Sequence, residues 1–368
     1  MRADEADRRR LNDLFVELCR IESPSGREAD CAARVRAELE GLGLAVEADE
    51  AGNLLARFAG GADATLMLCA HLDTVKLEAP VEPALVDEGW ENANDGILGA
   101  DNKAAVAMLL AIAHRAAAAA PPIGLELLFT VSEEVGLVGA QAFDLGKLRS
   151  QFGYVFDHAT PIGEIVLAAP TYFRIEADFH GAAAHAGIRP EHGRSAIAAA
   201  AASVAAIRLG RLDDETTANV GRIAGGGEST NVVPEHCRVE AEARSLDSGK
   251  AEGVVAEMVD HIHDGANAFE CDVDVSVERL WPAYRIRPSV PAVAVAEAAL
   301  RACGYEPSHI VTGGGSDANA FNAAGLQCVN LANGTERNHE PGERVSLAAL
   351  EGMLDVTLAL VDEAAARC

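Results

Sequence analysis

Residues 65–73 read Thr65-Leu66-Met67-Leu68-Cys69-Ala70-His71-Leu72-Asp73. The run carries no charge until it stops at a histidine, the composition of a strand buried on both faces with a polar residue at its carboxyl end. The same form recurs twice. Leu125–Val131 stops just before Glu133-Glu134, and Phe152–Phe156 stops at Asp157. Between the first two runs lies an Ala- and Leu-rich stretch, Lys103–Ala120, which reads as a helix ended by Pro121-Pro122. Such strands alternating with helices predict an α/β fold with a mixed, largely parallel sheet covered by helices. Sheets of that kind bind ligands beyond the carboxyl ends of their strands. His71, the paired glutamates and Asp157 all fall at those ends.

Working upstream, Leu11, Leu14, Phe15 and Leu18 make an apolar helical stripe ended by Ser23-Pro24-Ser25-Gly26. The spacing of Ser25 and Glu28 predicts a capping box for a second helix, closed by Gly41 and Gly43. Downstream the rhythm changes. Tyr172–His180 alternates like a half-buried strand, Ser195–Leu209 reads as helix, and Asn219–Ala224 and Arg238–Ser245 read as strands. Ser248–Phe269 reads as helix and Asp272–Leu280 alternates again. The order β-α-β-β-α-β is the ferredoxin-like arrangement, a small open sheet with helices on one face. The α/β pattern then resumes with His309–Val311, the turn Gly313-Gly314-Gly315-Ser316-Asp317, the strand Cys328–Leu331 and a last helix capped by Ser346. The expected organisation is therefore an α/β domain of residues 1–170 and 284–368, interrupted by an α+β unit at 171–283.

At 368 residues the chain exceeds what one hydrophobic core normally organises, which agrees with two units. Its formal net charge of -27 argues against nucleic-acid or anionic-membrane partners, since phosphate would be repelled. The eight cysteines are scattered, without a close pair, and predict free thiols in a reduced cytoplasm. The charged stretch Met1–Arg10 lacks the apolar core of a signal peptide.

The chemistry-bearing residues gather at the loops. His71 and Asp73 stand two apart, so in an extended chain they share a side, and a carboxylate there can accept one imidazole N–H and leave the other nitrogen for a metal. Asp101 stands at a strand-to-helix junction, where a carboxylate either caps the helix or bridges two cations; Asp95 is nearby in a turn-like Asn94-Asp95-Gly96 context. Glu133 and Glu134 would point apart on an extended backbone, one free to bind metal and one to act as general base. Asp157 and His339 complete the set, with His158 and Glu340 as adjacent alternatives. Two histidines and three carboxylates without a thiolate suit two zinc ions, with manganese or cobalt as alternatives. Two such ions sharing a water would lower its pKa.

These residues resemble the zinc aminopeptidase, aminoacylase and glutamate-carboxypeptidase superfamily, and most of all its peptidase T-like branch. The matching motifs are His71-Leu72-Asp73-Thr74, Gly99-Ala100-Asp101-Asn102-Lys103, Ser132-Glu133-Glu134-Val135-Gly136, Phe156-Asp157 and Asn338-His339. The resemblance implies that His71 and Asp157 hold one metal, that Glu134 and His339 hold the other, and that Asp101 bridges them. It makes Glu133 the base and Asp73 the residue that orients His71. His180-Gly181-Ala182-Ala183-Ala184-His185-Ala186-Gly187 resembles a lid motif whose last histidine, here His185, stabilises the oxyanion in a partner subunit's site. Asn231 and Arg244 resemble the lid residues that hold the substrate carbonyl and terminal carboxylate. Gly314, Gly315 and Ser316 resemble a substrate-binding turn, and amides at a helix start would in any case favour an anion.

The sequence thus predicts a cytoplasmic homodimeric metallopeptidase, paired through the inserted lid/dimerisation domain, with tripeptidase- or aminopeptidase-like action on short peptides. An N-acyl amino acid deacylase or a carboxypeptidase on the same scaffold is the alternative. A non-catalytic binding protein would have lost the base or a ligand, and this chain retains them all.

Overall fold

The three apolar runs form adjacent strands. In the computed structural model, which describes residues 2–367 apart from the side chain of residue 63, Ala62–His71 lies between Ile123–Thr130 and Phe152–His158 and runs parallel to both. Gln327–Ala332 adds a further parallel neighbour beside Phe152–His158. Leu54–Phe58 joins antiparallel on the other flank, so the sheet is mixed. It has nine strands. Register fixes the site: His71 stands opposite Thr130, so the segments that follow both strands emerge side by side.

Both faces of this sheet are covered. Every residue of Ile123–Thr130 is buried, including Glu126, and Ala100–Ala118 is buried along nearly its whole length. A buried carboxylate needs partners. Glu126 accepts Arg57 Nε at 3.2 Å, the backbone N–H groups of Arg149 and Ser150 at 3.0 Å each, and the Ser150 hydroxyl. Helix Glu5–Cys19 buries the expected stripe of Leu11, Leu14, Phe15 and Leu18, and its N-terminus is closed by a reciprocal Asp4–Asp7 capping box. The last helix is capped as expected, with Ala349 N–H donating to Ser346 Oγ at 3.0 Å.

One cap differs. The helix Ala29–Gly41 has no side-chain cap at Glu28. Ser25 Oγ donates to Asp73 Oδ2 at 2.7 Å, and Glu28 Oε1 accepts the N–H groups of Gly26 and Ser132. Tertiary partners with buried needs thus displaced the local box.

A second sheet of four short antiparallel strands, Pro83–Val86, Gly89–Asn92, Arg344–Ser346 and Thr335–Glu336, has no counterpart in the sequence reading. Its strands are two to four residues long, too short to show periodicity. It anchors both ends of the loop that carries His339.

The chain divides into two units. One runs to Ala168 and resumes over Arg285–Val311 and from Ser316 onward; the other is Ala169–Tyr284 with Thr312–Gly315. The second unit holds an antiparallel sheet in which Thr171–His180 lies between His236–Ser245 and Asp272–Trp281, with Thr216–Gly225 outside. Helices Ala196–Ala206 and Ser248–Ala268 cover one face, packing Ala199, Met258 and Ile262 against Ile175, Phe179 and Val239. This is the ferredoxin-like order, with the short strand Gly210–Arg211 added. No helix among the described residues is long and apolar enough to cross a membrane. The seven cysteines described are all free, and six are buried; Cys368 lies outside the described residues.

Candidate metal centre

The first unit brings the seven predicted centre residues to one end of its sheet. His71 ends its strand fully buried, with Nε2 3.2 Å from Asp101 Oδ1 and 3.8 Å from Asp157 Oδ1. Asp101 presents its other oxygen, Oδ2, to His339 Nε2 at 3.3 Å, and His339 Nε2 lies 2.9 Å from Glu134 Oε1. Two donor groups result, His71/Asp101/Asp157 and Asp101/Glu134/His339, and Asp101 belongs to both. The alternatives from the sequence stand apart: Asp95, His158 and Glu340 belong to neither group.

Asp101 does not cap the following helix. Gly99 turns the chain at φ 76°, in the left-handed region open to glycine, Asp101 and Asn102 are non-helical, and the Asp101 carboxylate faces His71 and Asn338. The carboxylate is thereby free for the centre. Asn338 Nδ2 donates to its Oδ2 at 2.8 Å.

Two geometric expectations need correction. The glutamate pair does not sit on extended backbone. Ser132 has φ 54°, and the N–H groups of Gly136 and Leu137 both fold back to the Glu133 carbonyl, forming a turn. Both glutamates therefore reach toward His71, with a carboxylate oxygen from each in a third group with that ring. Nor does Asp73 orient His71 mainly through its carboxylate. His71 Nδ1 lies 3.0 Å from the Asp73 backbone carbonyl and 3.4 Å from Oδ1. The Asp73 carboxylate instead accepts the N–H groups of Glu133, at 3.0 Å, and Glu134, at 3.2 Å.

The electrostatics are those of a site built for cations. Asp101, Glu133, Glu134 and Asp157 are crowded together, and the ion-pair partners of Asp101, Glu134 and Asp157 are His71 and His339. Burial pushes Glu133 and Asp157 well above the usual carboxylate range, and their negative neighbours push further. Burial opposes ionisation of Asp101 too, but hydrogen bonds from His339 and His71 overcome it and hold that carboxyl well below its ordinary value. The bonds to Asp101 and Glu134 raise His339 to about 10. Four carboxylates thus gather around two imidazoles, a charge excess that two divalent ions would neutralise. With imidazole and carboxylate donors sharing one bridging group, the residues fit a dinuclear metal centre.

Sequence reasoning missed the groups that hold these ligands by their backbone. Asn330, in the strand Gln327–Ala332, accepts Asp157 N–H through Oδ1 and donates Nδ2 to the Asp157 carbonyl, both at 3.0 Å. Its signal was a polar side chain inside an apolar strand. Glu343, only 1% exposed, accepts three amides of the segment before the long helix. It gave no local signal, since a glutamate in a Pro-Gly loop reads as solvated.

The remaining predicted residues lie mostly in the second unit. His185 and Asn231 belong to two loops that pair with each other: His185 bridges Val232, and Ala186 N–H donates to the Asn231 carbonyl at 2.8 Å. Arg244 stacks over Tyr172, 4.2 Å from the ring centroid, pairs with Glu242 at 3.1 Å and donates to the Gly313 carbonyl at 3.3 Å. Gly315 is required by close approach, because a Cβ there would meet Trp281 at 2.4 Å. The expected anion-binding turn is partly filled by the chain itself: Gly314 N–H donates to Thr312 Oγ1 and Ser316 N–H to Asn319 Oδ1.

Residues 171–270 match the profile of a peptidase dimerisation domain of M20 type, and residues 53–159 match that of peptidase family M28. The chain is similar to YqjE, an uncharacterised protein of Bacillus subtilis (strain 168), with 35% identity over 370 residues, 97% of this chain and 99% of that one. Among solved structures it is similar to the aminopeptidase PepT of Bacillus cereus ATCC 10987, with 35% identity, 97% and 99% coverage and a TM-score of 0.84. It is also similar to a tripeptidase of Staphylococcus aureus, with 32% identity, 98% and 99% coverage and a TM-score of 0.90.

Proposed function

This chain belongs to the peptidase T-like branch of the M20 peptidases, metal-dependent exopeptidases, and from that premise we propose that it removes amino-terminal residues from short peptides, tripeptides foremost. The observation that carries the reading is the placement of Asp101, with one carboxylate oxygen toward His71 and the other toward His339. In this reading His71 and Asp157 would hold one ion and Glu134 and His339 the other, with Asp101 shared between them.

A donor set of imidazole and carboxylate without thiolate suits zinc, which when bound there would supply Lewis acidity to the scissile carbonyl and to the attacking water. Glu133, held at its own amide by Asp73, takes a proton from that water and passes it to the departing amine. The lid motif that these residues resemble would have His185, from a partner subunit, and Asn231 donate to the carbonyl oxygen as negative charge develops on it. Arg244, whose guanidinium is steadied by Glu242 and the Tyr172 ring, receives the free carboxylate of the peptide. That demand for a free terminus favours short substrates. The dimerisation-domain match supports a homodimer, and the seven free cysteines among the described residues support a reducing cytoplasm.

The test is turnover by zinc-loaded protein of tripeptides, dipeptides and N-acyl amino acids in parallel. Preferential cleavage of tripeptides is expected. Strong deacylation, or release of the carboxyl-terminal residue, with aminopeptidase substrates untouched would overturn the assignment.

A further inference from the structure

The loop that carries His339 contains a buried carboxylate for which the proposed reaction has no use. Glu343 lies four residues beyond His339, between the short strands Thr335–Glu336 and Arg344–Ser346. Its Oε2 accepts the N–H groups of Leu98 at 2.9 Å and Gly99 at 2.7 Å, and its Oε1 accepts that of Asp101 at 2.9 Å. Gly99, at φ 76°, turns these amides to one side, making a concavity of the kind that receives an anion. The chain fills it with its own side chain.

The two segments so joined each carry a ligand of the Asp101/Glu134/His339 group. A second link runs parallel to the first, from Asn338 Nδ2 to Asp101 Oδ2 at 2.8 Å. The loop itself is bent tightly: Arg337, His339 and Gly342 all have positive φ, and Glu343 N–H donates to the Glu340 carbonyl at 3.1 Å. His339 is the most exposed ligand, its side chain 47% accessible, so packing does little to place it. Its position relative to Asp101 depends on what ties the loop down.

The geometry points to Glu343 as a positioning residue that sets the spacing of Asp101 and His339, and so governs the affinity of the second metal position over the first. The inference rests on the reading of this cluster as a dinuclear centre. His71 and Asp157 are held by other means: the first by its strand and the Asp73 carbonyl, the second by Asn330. Loss of Glu343 therefore displaces two ligands of one position and only the shared ligand of the other.

The experiment is stepwise titration of chelator-stripped protein with Co²⁺, followed by its visible absorption and by metal counting, for the unmodified chain, E343Q and E343D. Glutamine keeps one acceptor oxygen but sets an N–H against amides that need an acceptor. Aspartate keeps both oxygens and falls short by one methylene. The unmodified chain is expected to bind two ions. E343Q is expected to keep the first within about 3-fold and lose affinity for the second by about 10–100-fold, with E343D between. A role in folding alone would lower the melting temperature without changing the ratio of the two affinities. That result, or an unchanged ratio in both variants, overturns the proposal. Should the unmodified chain bind no ion, the metal reading itself fails and this inference with it, a result distinct from two ions bound equally by all three proteins.

Discussion

The carboxylate of Asp73 holds the backbone of Glu133: its Oδ1 accepts that amide at 3.0 Å, while the Asp73 main-chain carbonyl is left to meet His71 Nδ1 at the same distance. One residue thus contacts the proposed ligand His71 through its main chain and the proposed base Glu133 through its side chain. Asp73→Asn keeps one acceptor and turns an N–H toward the other amide. It is expected to lower kcat about 10–100-fold with a smaller change in KM, as steady-state kinetics on the zinc-loaded variant would show. An unchanged kcat would mean that the turn at 132–137 holds itself.

Glu133→Gln removes the proposed proton acceptor and preserves shape. Turnover should fall by about 10²–10⁴-fold, with two ions per chain still bound by metal analysis. Because a Glu133 oxygen also groups with His71 and Glu134, loss of an ion on this substitution would reassign Glu133 as a ligand.

Asn330→Leu fills the same space and leaves the Asp157 N–H and carbonyl without partners in the interior. Each orphaned group costs about 1–3 kcal/mol. Urea unfolding of the metal-free variant should show a loss of that order, against none for a leucine placed at an exposed site. Equal stability would mean that Asp157 is held by its strand alone.

Asp317 supplies the pH prediction. It is 1% exposed, bonded to the Thr130 hydroxyl, and burial raises its carboxyl to about 6. A carboxyl raised above its unfolded value favours folding while protonated. Its contribution is full below about pH 4 and is lost as pH rises through about 6. Asp317→Asn should therefore stabilise metal-free protein by on the order of 2 kcal/mol above pH 7, with the gap closing toward pH 4. Parallel stability curves for the two proteins across that range would contradict this.

The legible parts of the molecule were those written in local pattern. The strands ending at His71, before Glu133 and at Asp157 announced themselves as apolar runs that stop at polar residues, and a parallel sheet does bury such runs. The ferredoxin-like order of the second unit followed from alternation along Thr171–His180, whose burial alternates residue by residue. The illegible parts depend on contacts across long stretches of chain. Ser25 and Glu28 had the spacing of a cap, yet partners 48 and 104 residues away claimed them. Asp101 and Glu343 are 242 residues apart. The turn at Ser132 is unusual for a non-glycine residue, and nothing in Ser132-Glu133-Glu134 signals it.

The most direct measurement is anomalous diffraction from crystals of the zinc-loaded protein, recorded above and below the zinc edge. Two peaks about 3.5–4 Å apart are expected. One should lie between His71 and Asp157 and the other between Glu134 and His339, with an Asp101 oxygen on each. A single peak, no peak, or two ions held without Asp101 between them would contradict it.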